Sequence, residues 1–271
     1  MRKPVSKKKP APKKKVSKAP PPLHKVIVII DPGHGGTDPG ASAGGVTEAM
    51  LTYRMAATLA EVVKQLGAEV HFTVRSAALR RKPIEPPKLP KPEAKKPTPK
   101  EKERELPRHP EPALLAPRDA VLASGRRLDM NNDVPEFLHA RAEIGARFWK
   151  LRKPHVVFLS LHFDVSEGSP DDHGGFTMWD IREDHPPMLV REITRRFGAA
   201  GLCGNRRKQP RPNDLGVTNP EFNPVPQKTL VELATITNAA DRKNALDPRW
   251  RWRVARILAD SIVACKKAKI I

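Results

Sequence analysis

The chain has few cysteines and few aromatic residues for its length. Its 271 residues include two cysteines, Cys203 and Cys265, and aromatic residues make up 5% of the total. The cysteines lie far apart and form no Cys-x-x-Cys motif, so they give no support for a disulfide framework or a thiolate metal site. A Gly-x-Ser-x-Gly motif is also missing, so the sequence offers no sign of a nucleophile-elbow serine hydrolase.

Long apolar runs are also lacking. A secretory signal needs an apolar stretch of about 7–15 residues after a charged start, and nothing before His24 provides one. No run approaches the roughly 18 apolar residues of a membrane span. The sequence therefore predicts a protein that is soluble or peripherally attached and that carries no visible export signal.

Positive charge is abundant but unevenly distributed. The formal net charge is +20; residues 1–25 hold ten Lys/Arg and no acid, and residues 76–118 hold twelve Lys/Arg against six Glu. The same two stretches contain 17 of the 30 prolines. Such a composition cannot bury enough apolar surface to offset the entropy of ordering the chain. We therefore predict a disordered tail at 1–23 and a folded domain at 24–271 that a disordered insertion at 76–118 interrupts.

The most informative segment is a buried strand that ends in a Gly/Pro loop. Residues 26–30 read VIVII, which is typical of a strand buried on both faces, and DPGHGG follows directly. The glycines and proline end the strand and leave His34 at its carboxyl end. Open α/β sheets bind their ligands at that edge.

Two further segments bring polar residues to the ends of apolar runs. VVFLSL at 156–161 leads into His162, and TLV at 229–231 leads into Glu232. His34, Glu48 and His162 together supply two imidazoles and a carboxylate, a set that suits zinc and leaves a fourth position for water. Glu232 then remains for proton transfer.

These segments resemble the zinc-dependent N-acetylmuramoyl-L-alanine amidases, which cleave stem peptides from the glycan of peptidoglycan. The resemblance covers roughly residues 24–75 and 134–265. Its motifs are IIDPGHGG with DPGA, EAMLT, SLHFD and LVELATITN, which begin at residues 29, 38, 48, 160 and 230. The resemblance implies that His34, Glu48 and His162 bind Zn²⁺ and that Glu232 acts on the water at the metal. It also implies a location in the cell envelope or periplasm, although the missing signal leaves cytoplasmic storage or a truncated start open.

The chain departs from the family pattern in three places. Asp164 stands where the family usually has asparagine, which adds negative charge near the predicted metal. The Thr-Arg pair after the second strand is here Thr73-Val74-Arg75, and the 76–118 insertion replaces the segment that normally follows. A zinc hydrolase of another peptide or N-acyl amide therefore stays an alternative. For Arg75 and Arg141, a carboxylate-ordering role and an ordinary ion pair both stay open.

Hydrophobic periodicity predicts an α/β domain with a twisted, largely parallel or mixed sheet and helices on both faces. Three other histidines, His71, His155 and His173, are assigned to packing or turns, and Trp250 and Trp252 to packing at a helix start. The predicted strands are 26–30, 70–74, 155–161, 175–179 and 229–234; the predicted helices are 47–66, 134–151, 188–197 and 249–265.

The basic tail leaves a choice of partners. Lysine-rich segments bind phosphates without sequence preference, so residues 1–25 fit nucleic acid as well as anionic wall polymers or phospholipid headgroups. A spacer role is equally compatible with the composition. A binding-only protein is disfavoured because all four site positions are present.

Overall fold

A computed structural model describes residues 19–36, 38–76, 120–122, 134–205 and 209–271. Residues 1–18 of the predicted tail and residues 77–118 of the predicted insertion lie outside these residues, so the disorder of both segments stays a prediction. The folded part begins before residue 24, because Leu23 is buried in the core and its amide donates to the Leu66 carbonyl. None of the helices in the described ranges is long and apolar enough to cross a membrane.

The centre of the domain is a six-stranded mixed sheet. Its order is β4-β1-β7-β10-β8-β9; β4, β1, β7 and β10 are parallel, and β8 is antiparallel to β10. The bounds are β1 Ile27–Pro32, β4 Glu69–Phe72, β7 Val156–Asp164, β8 Phe176–Asp180, β9 Arg211–Asn213 and β10 Lys228–Thr235. The predicted α/β fold with a mixed sheet is confirmed.

Short strands and five helices complete the element order of the residues that the structure describes. Hairpin strands β2 Ser42–Ala43 and β3 Val46–Thr47 precede the first helix, and β5 Val74–Ser76 pairs with β6 Ala120–Leu122. The helices are α1 Glu48–Gln65, α2 Val134–Arg152, α3 Met188–Ala199, α4 Ala239–Leu246 and α5 Pro248–Lys267.

Alternating residues of the central strands build two apolar layers. Val28 and Ile30 of β1 pack with α1, α3 and α5 on one face of the sheet. Ile27 and Ile29 pack on the other face, where Leu138 of α2 closes the smaller layer. This alternation follows from the two-residue period of a strand, and it explains why residues 27–30 of β1 are all apolar.

The helices begin and end where their sequences predict. Thr47 caps α1 by accepting a hydrogen bond from the Met50 amide, and Gly67 follows its end with φ of +89°. Asp247 caps α5 by accepting a hydrogen bond from the Arg249 amide. In the first turns of this helix, Trp252 is buried in the core and Trp250 packs against the core. The assignment of both tryptophans to packing is therefore confirmed.

The structure corrects one predicted strand and adds elements that the sequence did not predict. The predicted strand 70–74 is two strands, because Thr73 interrupts it and turns its hydroxyl towards the buried Asp31 carboxylate. Helix α4 was not predicted, although Asn238 caps it by accepting hydrogen bonds from the Ala240 and Asp241 amides. The hairpin strands β2 and β3 and the short edge strand β9 were also missed.

Candidate metal centre

His34 lies directly after β1, in the loop at the carboxyl end of the parallel strands. Its φ of +63° places it in the left-handed region, which non-glycine residues adopt only when their surroundings fix the loop. Gly40, with φ of +62°, lies under the His34 ring, and a Cβ there would come within 2.6 Å of it. The loop is therefore folded closely around the imidazole.

His162 belongs to the neighbouring strand β7, and its ring packs against Gly33. A Cβ at Gly33 would lie 2.3 Å from an atom of the His162 ring, so only glycine fits between the strand end and this imidazole. The rings of His34 and His162 meet edge to face with centroids 5.0 Å apart. The glycines of the DPGHGG segment thus bring two histidines from adjacent strands together.

Glu48, the first residue of α1, lies between the two histidines. Its Oε2 is 3.0 Å from His34 Nε2, and its Oε1 is 3.0 Å from His162 Nδ1. The amides of Ala41 and Phe163 also donate to this carboxylate. Its side chain is 5% exposed, whereas those of His34 and His162 are 26% and 19% exposed, so a ligand can reach the histidines from solvent.

One ligand atom from each of these three residues lies within 4.8 Å of the others. This is the combination of two imidazoles and a carboxylate that the sequence predicts to come together. The donor set suits Zn²⁺, since nitrogen and carboxylate oxygen ligands in this number are typical of catalytic zinc. Among the residues that the structure describes, no other group of this kind is present.

Hydrogen bonds and charges at the centre favour a protonated His34 and an ionised Glu48. Burial lowers the pKa of His34, but hydrogen bonds and charges from Asp38 and Glu48 outweigh burial and raise it to about 9. Burial also opposes ionisation of Glu48, yet the hydrogen bonds from His162 and His34 hold its pKa well below the usual range. Protons and a cation therefore compete for the same converging atoms.

Asp38 orients the first of these histidines. Its Oδ2 lies 2.6 Å from His34 Nδ1, and its Oδ1 accepts a hydrogen bond from the Gly40 amide. The carboxylate on Nδ1 fixes the ring so that Nε2 faces the centre, an arrangement that commonly supports metal-binding histidines. Asp38 begins the DPGA motif, but the sequence alone does not indicate this role.

A second buried ionic group, the Asp31 hub, lies beneath the loop. It consists of Asp31, Thr73, Arg141 and Ser160. The Asp31 carboxylate accepts hydrogen bonds from Arg141 Nη1 at 2.8 Å, from Ser160 Oγ at 2.6 Å and from the Thr73 hydroxyl. Although burial opposes ionisation, Arg141 and the two hydroxyls lower the pKa of Asp31.

Arg141 also connects this hub to the His34 loop. Its guanidinium donates to the carbonyls of Pro32 at 2.7 Å and His34 at 2.6 Å. The Thr52 hydroxyl of α1 similarly donates to the Gly33 carbonyl at 2.7 Å. Of the two roles that the sequence left open for Arg141, the structure supports ordering a carboxylate, and it adds positioning of the loop.

Glu232 lies on β10 beside His162. The two residues are register partners on parallel neighbouring strands, so their side chains share one face of the sheet. Glu232 is buried at the edge of the centre. Asp164, two residues beyond His162 on β7, lies on the same face of its strand, as a carboxylate where the family pattern has an amide.

The three histidines that the sequence assigns to packing or turns lie outside the metal cluster. His71 Nε2 lies 2.7 Å from a carboxylate oxygen of Glu69. His173 is exposed; its amide donates a hydrogen bond to Asn205, and its ring contacts the Asp171 carbonyl. His155 precedes β7 and lies at the opposite end of that strand from His162. Their exclusion from the predicted ligand set agrees with the grouping of His34, Glu48 and His162.

Comparison with known proteins agrees with this arrangement. The sequence model of the family described as N-acetylmuramoyl-L-alanine amidase matches residues 28–81, which include β1 except its first residue, the His34 loop and α1. No curated protein matches the chain.

Solved amidase structures share the fold. Amidase AmiC2 of Nostoc punctiforme is 18% identical with a TM-score of 0.58, over 90% of this chain and 98% of that one. The catalytic domain of CwlV from Bacillus (Paenibacillus) polymyxa var. colistinus is 20% identical with a TM-score of 0.57, over 91% and 99%. The CwlD amidase from Clostridioides difficile, solved in complex with the GerS lipoprotein, is 19% identical with a TM-score of 0.58, over 91% and 100%.

At these identities the structural matches show the fold, and the family match covers the segment that holds His34 and Glu48. The chain therefore shares its fold with solved N-acetylmuramoyl-L-alanine amidases, and residues 28–81 match the sequence model of that family.

Proposed function

We propose that this protein hydrolyses the amide bond between N-acetylmuramic acid and L-alanine in peptidoglycan, with Zn²⁺ bound by His34, Glu48 and His162. The observation that carries the proposal is the convergence of these three residues with Glu232 in register beside His162. The family match and the shared fold support the choice of substrate. On this proposal the protein acts in the cell envelope, where its substrate is located.

The roles of the residues follow from their chemistry. Zinc held by three protein ligands would supply Lewis acidity, which lowers the pKa of water enough for hydroxide to form near neutral pH and polarises a carbonyl. Glu232 takes the proton from the attacking water and passes it to the leaving amine of L-alanine. General acid–base help of this kind is typically worth about 10²–10⁴ in rate. Asp38 holds the His34 ring in the orientation that binding requires.

The test is digestion of purified peptidoglycan by the recombinant protein, with products identified by mass spectrometry. We expect release of stem peptides with a free N-terminal L-alanine, loss of release with a chelator, and its return when zinc is added. A folded, zinc-loaded protein that releases no such peptide from intact wall or soluble muropeptides would contradict the proposal.

A zinc hydrolase of another peptide or N-acyl amide is the second candidate. It is favoured by Asp164, which brings an additional carboxylate to the face of β7 that carries His162. If this residue sets the preference, Asp164→Asn will raise activity on peptidoglycan relative to other amides. An unchanged ratio of rates would remove the argument for the second candidate.

A further inference from the structure

The end of the sheet opposite the metal centre carries a basic cavity. It has a volume of about 520 Å³ and lies where strands β4, β1 and β7 begin. His24, Lys25, Arg152, Lys153 and His155 contribute most of its polar lining. We call these residues, together with Leu151, Lys266 and Ile270, the basal surface.

Positive charge dominates this surface. Lys25, Arg152 and Lys153 are exposed, and Lys266 Nζ donates to the His24 carbonyl. Burial and the charge of Lys25 both lower the pKa of Lys266. Among the residues that line the cavity, Glu69 is the one acid, and its carboxylate contacts His71 Nε2 at 2.7 Å.

Exposed apolar side chains accompany the charges. Leu151 lines the cavity and is 71% exposed, and Ile270 follows α5 at the same end and is 45% exposed. Basic residues interspersed with exposed aliphatic side chains are typical of surfaces that lie on anionic lipid, where the cations meet headgroups and the apolar groups enter the boundary region. Nucleic acid offers no comparable environment for an exposed leucine.

The basal surface and the metal centre face opposite directions. The nine residues of β7 run from the cavity to His162 near its carboxyl end, and at about 3.3 Å per residue they separate the two ends by roughly 20–30 Å. A protein held by its basal surface therefore presents its metal centre away from that support. Residues 1–18, with nine Lys/Arg, join the described part of the chain next to this end.

We propose that the basal surface docks on anionic phospholipid headgroups and thereby directs the metal centre towards the cell wall. This inference rests on the proposed function for the identity of the target that the metal centre faces. Binding to lipid itself depends only on the basal residues, so the two proposals can fail separately.

The experiment uses the full-length, zinc-loaded chain and co-sedimentation with vesicles of phosphatidylcholine, with or without phosphatidylglycerol. We expect binding only to the anionic vesicles, weakening as salt rises. The double variant Arg152→Glu with Lys153→Glu should bind at least about tenfold more weakly, since each basic residue near the surface contributes to attraction. Leu151→Ser should weaken binding to vesicles by a few-fold but leave any binding to duplex DNA unchanged.

The matched control is the double variant Arg249→Glu with Arg256→Glu, two exposed arginines of α5 away from the basal surface. It changes net charge equally and keeps the same tail, so it should retain most of the vesicle affinity. Equal loss in both double variants, or no loss in either, would overturn the proposal. A basal variant that loses affinity for DNA or wall polymer but not for vesicles would overturn the choice of lipid.

Hydrolysis of soluble muropeptides by the same variants separates this proposal from the proposed function. The basal variants should keep wild-type activity on soluble fragments because their side chains lie at the far end of the strands. A wild-type protein that binds vesicles through its basal residues but hydrolyses no muropeptide would refute the proposed function and leave the docking surface standing.

Discussion

The Asp31 hub and the neighbouring metal centre are each built around a buried carboxylate, but the polar atoms around the two carboxylates differ in what they can do. In the hub, Thr73, Ser160 and Arg141 all donate to one buried carboxylate, so its charge is fully compensated. In the metal centre, each carboxylate oxygen of Glu48 contacts a ring nitrogen of one histidine, and both histidines remain partly exposed to solvent. The Asp31 hub, whose charge is compensated, stabilises a loop. The metal centre, whose ligand atoms converge and are accessible, can exchange its protons for a cation.

The largest expected difference between the metal centre and the Asp31 hub is the loss of catalytic rate when Glu232 is substituted. Glu232→Gln removes the proton acceptor while keeping the size of the side chain, so we expect the rate of amide hydrolysis to fall by about 10²–10⁴. Zinc affinity and thermal stability should stay close to wild type. The measurements are kcat on soluble muropeptides, zinc content and Tm, with exposed Glu221→Gln as the control.

Arg141→Ala should mainly lower the free energy of unfolding. Removing one partner of a buried ion pair leaves an unpaired charge and typically costs about 3–5 kcal/mol, and here Asp31 and two loop carbonyls lose their donor together. Denaturant unfolding of the chelated protein measures the free energy change. Arg147→Ala, at an exposed position of the same helix, should be nearly neutral. Equal stability of the two variants would show that the hub is not structural.

Asp38→Asn should affect the metal centre without unfolding the chain. The variant weakens the support of His34 Nδ1, and losses of such supporting groups usually reduce metal affinity by about 10–100-fold. Competition with a zinc chelator of known affinity measures this change. Exposed Asp184→Asn is the control. Wild-type affinity in Asp38→Asn would mean that the 2.6 Å contact does not orient the ring.

The smallest effect is expected in the pH dependence of stability. Because the folded protein lowers the pKa of Asp31, the unfolded state binds more protons near pH 4, and stability rises with pH there. The contribution of Asp31 is fully present above the unfolded pKa of about 3.9 and is lost as pH falls through the folded value. The difference in Tm between the chelated wild type and Asp31→Asn should therefore shrink with decreasing pH. A constant difference would argue against an ionised Asp31 in the hub.

The sequence predicted the strands and helices whose patterns are set by burial, and missed those that are not. β1, β7 and β10 are largely buried strands in the middle of the sheet, and each contains an apolar run. Helix α4, with the sequence AADRKNAL, buries only Asp241 and Ala245, so it leaves no apolar period to recognise. The edge strand β9 contains a proline and is formed by pairing with β8, which no local pattern reveals.

The site shows the same division. His34, Glu48, His162 and Glu232 stand at the ends of strands or the start of a helix, where the order of elements brings them to one edge of the sheet. Arg141 is one of 50 Lys/Arg in the chain, and only its burial against Asp31 distinguishes it. The role of Asp38 likewise depends on the shape of a loop with glycines in the left-handed region.

The central claim, that three residues bind one zinc ion while Glu232 does not, is tested most directly by calorimetric zinc titration of the apo protein. We expect one zinc ion per chain in the wild type and in Glu232→Gln, and loss of tight binding in His34→Ala, Glu48→Ala and His162→Ala. Tight binding that survives in those three variants, or that disappears in Glu232→Gln, would contradict the account.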